Sequence, residues 1–111
     1  IISNLLQWDE EGNFTGVKKP IIHSLNKDGS MIQKQAFFKD IQGRKNILLL
    51  GDNIEDCQVI GGLGYKNLLK IGFLNENIDK NLSVYKNNFD VLILNDGSME
   101  YINNLLKEII F

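Results

Sequence analysis

Apolar and polar positions fall in blocks along this chain. The sharpest block is Ile47-Leu48-Leu49-Leu50, four apolar residues that run straight into Gly51. A short continuous apolar run bounded by breakers predicts a strand buried on both faces, as in a parallel sheet. Gly51 lets the chain leave such a sheet sharply. Leu68-Leu69-Lys70-Ile71-Gly72-Phe73-Leu74 and Asp90-Val91-Leu92-Ile93-Leu94 predict two further strands. Between them the period changes to that of a helix. Ile78, Leu82 and Tyr85 share one helical face behind an expected cap at Asn75. Met99, Ile102, Leu105, Leu106, Ile109 and Ile110 make a stripe at helical spacing that should be core. A short helix is expected over residues 56 to 61.

Upstream, Ile1 to Trp8 is apolar, Asp9-Glu10-Glu11-Gly12-Asn13 is a turn signal, and Phe14 to Val17 resumes as a strand. Residues 2 to 17 therefore predict a β-hairpin. Pro20 to Leu25 is a second short extended piece. A helix is expected over about residues 31 to 41, opened by the capping box Ser30–Gln33 and ended by Gly43. Ile32, Phe37, Phe38 and Ile41 would form its buried side.

The order helix, strand, helix, strand, helix, strand, helix predicts an α/β fold. Its right-handed crossovers make a three-layer, Rossmann-like parallel sheet with helices on both sides, preceded by the N-terminal hairpin. A strand as apolar as 47–50 should be interior, yet the chain supplies few partners to flank it. An exposed edge of that kind invites aggregation, so a neighbouring strand is expected upstream.

Composition narrows this picture. The chain has 111 residues, 43% hydrophobic and 23% charged, with a net charge of −2. That fits one ordinary globular domain and argues against a nucleic-acid surface. No apolar run reaches the ~20 residues of a membrane span. The single cysteine, Cys57, fits a reducing, cytoplasmic setting and reads as a packing residue. His23, the only histidine, has no second His or Cys at metal-ligand spacing.

Candidate chemistry gathers after the first buried strand. Asp52 would sit at the strand's carboxyl end, where open α/β sheets bind ligands, and Asp56, past the turn, could point back at the same spot. Two converging carboxylates suit a hard divalent cation such as magnesium, usually held by one or two carboxylates plus phosphate and water. Asp is equally at home as a helix cap, and the spacing alone leaves both readings open. Lys27 would precede a helix N-terminus, where free N–H groups and partial positive charge favour anions. A solvated loop lysine is the plainer reading of the same position. Gly61-Gly62-Leu63-Gly64 lacks the spacing of a dinucleotide loop and follows no clear strand.

Gly51-Asp52-x-x-x-Asp56 after a buried strand resembles the fourth motif of the haloacid dehalogenase-like phosphohydrolases. Ser3-Asn4, the hairpin, Ile22-His23, Asn26-Lys27 with Asp28-Gly29, Asn46 to Asp52, Leu69 to Asn75, and the Asp90-Val91 strand followed by Asp96 together resemble the C-terminal part of the cytosolic pyrimidine 5′-nucleotidases. The resemblance covers nearly the whole chain. It implies that Lys27 contacts the substrate phosphoryl group and acts in catalysis, that Asp52 ligates Mg²⁺, and that Asp56 supports the metal's water shell. It further implies a nucleoside monophosphate (UMP or CMP) as substrate, hydrolysed through an aspartyl-phosphate. No D-x-D-x-T nucleophile motif stands in this chain, and the family's second motif and cap segment have no counterpart in it. The expectation is a partial catalytic core, inactive alone, whose partner is the remainder of its own catalytic domain, monomeric when complete. Two alternatives accompany it. One is another phosphatase of the superfamily; the other is a non-catalytic α/β interaction module in which Asp52 and Asp56 serve as caps.

Overall fold

The computed structural model describes residues 2–23 and 25–110. The chain divides into two units. One holds the chain up to Lys45 together with Gln58–Gly64; the other holds Asn46–Cys57 and the chain from Tyr65 onward.

The first unit opens with the expected hairpin. β1 (Leu6–Trp8) pairs antiparallel with β2 (Phe14–Val17), with a register shift at Gln7/Trp8. Asp9 closes its turn by accepting the amides of Glu11 at 3.0 Å and Asn13 at 2.8 Å. Gly12 takes a φ of +85° there, a conformation that glycine adopts at no steric cost. Trp8 and Phe14 meet edge-on across the pair, 5.8 Å between ring centres. Pro20 to His23 form no strand. Asparagine side chains organise that stretch: Asn4 exchanges two hydrogen bonds with the Ile22 backbone, and Asn26 binds the His23 amide and the Ile21 carbonyl.

The helix expected over 31–41 is two short ones, α1 (Gly29–Gln33) and α2 (Phe38–Ile41). Between them the backbone bonds three residues back, Gln35 to Ile32 and Phe38 to Gln35, which is tighter 3-10-type turning. The cap differs too. Asp28, not Ser30, is the N-cap, and Ser30 donates both its amide and its hydroxyl to the Asp28 carboxylate. The capping acceptor is the Asp28 carboxylate, not the Ser30 hydroxyl. Gln33, the expected partner in the box, instead donates to the Gly62 carbonyl at 2.8 Å. Gly29 is buried against Gly61 and Leu63, so a side chain there would collide with the Gly61 carbonyl.

The second unit is built on a parallel sheet of β3 (Asn46–Gly51), β4 (Asn67–Leu74) and β5 (Val91–Leu94), in that spatial order. A 3-10 helix (Ile54–Ile60) opens the crossover from β3 to β4, in place of the expected short α-helix. α3 (Ile78–Asn88) makes the crossover from β4 to β5 and packs on both of those strands. α4 (Glu100–Ile110) follows β5. Asp90 staples the start of β5 to β4, its amide and carboxylate bonding the Lys70 carbonyl and amide.

Among the described residues β4, not β3, is the central strand. Ile71 is fully buried and Leu74 nearly so, whereas Leu50 on β3 is 40% exposed. The apolar run marked a strand correctly, but β3 has a sheet partner on one side only. The expected cap of α3 is also displaced: Asn75 accepts the Asp96 amide at 2.9 Å, and Asn77 stands at the helix start. Finally, the α4 stripe is core only in part. Ile102 is wholly buried, whereas Met99, Ile109 and Ile110 are exposed.

Candidate functional site

The carboxyl ends of β3, β4 and β5 deliver Asp52, Asn75 and Asp96 to the rim of a polar cavity of ≈ 480 Å³, which Asn81 and Tyr85 also line. This is the edge of a parallel sheet at which ligands bind. Asp52 is exposed and lies one residue beyond β3. Its carbonyl accepts the Tyr85 hydroxyl at 2.9 Å.

Asp56 is half-buried in the first turn of the 3-10 helix. One of its carboxylate oxygens, Oδ2, accepts the Asn53 amide at 3.1 Å, which closes the loop Asp52–Asp56 on itself. The Asn53 side chain in turn accepts the Glu55 amide at 3.0 Å. A Cβ built on Gly51 would lie 2.7 Å from both Cβ and Oδ2 of Asp56. The expectation of a glycine for backbone freedom is thus corrected: Gly51 is still in β3, without a positive φ, and what it provides is room for the Asp56 side chain.

The loop carries three carboxylates, Asp52, Glu55 and Asp56, and that of Asp56 already accepts the Asn53 amide. Among the described residues no group of three His, Cys, Asp or Glu side chains is gathered as for a metal ion. An exposed carboxylate at a strand end, as at Asp52, is a hard oxygen donor of the kind magnesium takes and is unlike the closed N/S cages of structural zinc.

Lys27 belongs to the other unit. It is exposed, on the loop immediately before the Asp28 cap. The helix it precedes has only five residues and is capped by that carboxylate, so the helix end adds little positive potential of its own. The Ser30 hydroxyl, and then the Ser30 amide, hold the Asp28 carboxyl below its ordinary range.

His23 serves its own loop, its Nδ1 accepting the Leu25 amide at 3.2 Å. Cys57 packs its thiol toward the Asn88 carbonyl at 3.7 Å, and burial pushes the thiol's pKa up. A thiol raised in this way is a poor nucleophile at neutral pH. Sequence reasoning missed Tyr85 as part of this site. Its spacing marks only a position on the apolar face of α3, and no local motif marks a hydroxyl that reaches a loop 33 residues away.

An α/β domain with paired acids after a parallel strand is the architecture of the haloacid dehalogenase-like phosphohydrolases. The profile of the family described as pyrimidine 5′-nucleotidase (UMPH-1) matches residues 1–110, and the chain belongs to that family. It is 35% identical to the mouse 7-methylguanosine phosphate-specific 5′-nucleotidase over its whole length and 34% identical to the human protein of that name over 99% of it. In both cases it spans 37% of the relative. Among solved structures it is similar to cytosolic 5′-nucleotidase IIIB bound to cytidine, with a TM-score of 0.83 and 29% identity. That match covers 96% of this chain and 36% of the other. Among the described residues no helix is long and apolar enough to cross a membrane.

Proposed function

We propose that this chain is the C-terminal part of the catalytic core of a magnesium-dependent 5′-nucleotidase. The complete protein would release phosphate from pyrimidine nucleoside 5′-monophosphates, UMP and CMP, through an aspartyl-phosphate formed outside these 111 residues. The observation that carries the reading is the Asp52–Asp56 loop. It stands at the carboxyl end of a parallel strand, closed by the Asp56–Asn53 hydrogen bond, in a chain of the UMPH-1 family.

The roles proposed for the residues are those the family resemblance implies. Asp52 offers a hard oxygen ligand to the cation. Asp56 fixes the loop and supports the water around the metal. The Lys27 ammonium offsets negative charge on the phosphoryl oxygens. Bound at this loop, magnesium supplies further charge neutralisation on those oxygens, the main need of phosphoryl transfer. The rest of the catalytic domain is this chain's principal partner. A cytoplasmic, monomeric enzyme fits the mixed surface charge, the lone cysteine and the cytosolic name of the structural neighbour.

A second substrate reading, 7-methylguanosine monophosphate, is favoured by the names of the mouse and human relatives. The test is phosphate release by the complete protein from UMP, CMP and 7-methylguanosine monophosphate, with magnesium and after chelation. Magnesium-dependent release, greatest from UMP or CMP, supports the proposal. Release undiminished by chelation, or steady release by the 111-residue chain alone, overturns it.

A further inference from the structure

A line of contacts runs from the middle of the sheet to the Asp52 loop. It begins at Gly72 in the central strand. A Cβ there would stand 2.7 Å from Cγ and Cδ2 of Phe89, so the bare glycine is what lets that ring lie against the strand. Phe89 is only 5% exposed and therefore has little freedom to move. Tyr85, one helical turn earlier on α3, stacks on it with ring centres 5.7 Å apart and planes inclined by 27°. The Tyr85 hydroxyl then donates to the Asp52 carbonyl at 2.9 Å.

We infer that Tyr85 is a positioning residue for the acid at the end of β3, holding the Asp52 main chain so that its carboxylate is preset for a cation. Hydrogen bonds inside the loop tie Asn53, Glu55 and Asp56 to one another. Asp52 leaves the last pair of the β3–β4 ladder, Gly51 with Gly72, and Asn53 is held by the Asp56 carboxylate. The Tyr85 hydroxyl fastens the residue between them. It does so from a ring whose own position is set by packing. Loops that carry ligand atoms bind more tightly when their conformation is fixed beforehand. The same helix face therefore both covers β4 and serves the site. This assignment rests on the reading of Asp52 as a metal ligand, and its test separates the two.

The test uses the complete protein in three forms: unchanged, Tyr85→Phe and Asp52→Asn. Tyr85→Phe keeps the ring and the Phe89 stack and removes only the hydroxyl. Magnesium binding is followed by calorimetry, and activity against UMP is titrated with magnesium. The expected result for Tyr85→Phe is magnesium binding weakened roughly three- to tenfold, the scale of one lost hydrogen bond. kcat at saturating magnesium should stay within about twofold, because only binding has been loosened. Phe89→Leu, which keeps the hydroxyl but removes the stack, should shift binding in the same direction. Unchanged magnesium binding in Tyr85→Phe, alongside its loss in Asp52→Asn, overturns the Tyr85 assignment alone. Magnesium binding that survives in Asp52→Asn overturns the reading of the site, and the assignment falls with it.

Discussion

The Asp56 side chain occupies the space in which a side chain on Gly51 would have to stand, with Cβ and Oδ2 both 2.7 Å from that point. The relationship explains why an apolar strand ends in glycine directly before an acid. Gly51→Ala forces Asp56 outward and breaks its bond to the Asn53 amide. Overpacking of this kind costs about 1–3 kcal/mol. Urea unfolding should record that loss, and the complete protein should need more magnesium for half-maximal activity. A Gly51→Ala variant as stable as the parent, with unchanged magnesium dependence, would show that the loop has another conformation open to it.

Asp28 sets a pH dependence. Its carboxyl is held below the ordinary value of 3.8, chiefly by the Ser30 hydroxyl. A depressed folded pKa means a contribution present above about pH 4 and lost as the pH falls through the folded value. Asp28→Ala should lower the melting temperature at pH 7, and the gap should close in strong acid. Thermal melts across that range check the sign; a gap that widens on acidification would refute it.

The final helix separates buried from exposed apolar positions. Ile102 is 0% exposed and Ile109 62%. Ile102→Ala should cost about 2–5 kcal/mol, whereas Ile109→Ala should stay within about 0.5 kcal/mol. Denaturant titration of the two variants decides this. Equal losses would mean that Ile109 is covered as well.

Much of the second unit was legible in the residues themselves. Three apolar runs marked β3, β4 and β5, and the Ile78–Leu82–Tyr85 face marked α3, because period and burial are written locally. Strand order is less legible: Ile47–Leu50 reads as an interior strand with a neighbour expected upstream, and among the described residues it pairs only with β4, which stands between β3 and β5. Caps were misplaced where a side chain had a better partner far along the sequence. Asn75 reaches Asp96, 21 residues on, and Gln33 reaches Gly62, 29 residues on. The stripe on α4 had the correct period, but periodicity says which side of a helix is apolar, not how much of it is covered. At the candidate site, spacing left the loop acids open between cation ligands and helix caps, and it gave no sign of Tyr85, whose hydrogen bond to Asp52 exists only once α3 has packed.

On the proposed function, Asp52 serves a cation and not a helix end. The most direct measurement is phosphate release from UMP by the complete protein, titrated with magnesium, for the parent and Asp52→Asn, with melting temperatures taken alongside. Asp52→Asn is expected to lose both activity and magnesium response, with the melting temperature little changed. A variant that keeps its magnesium-dependent turnover and loses only stability, by the ~1 kcal/mol of a missing cap, would contradict it.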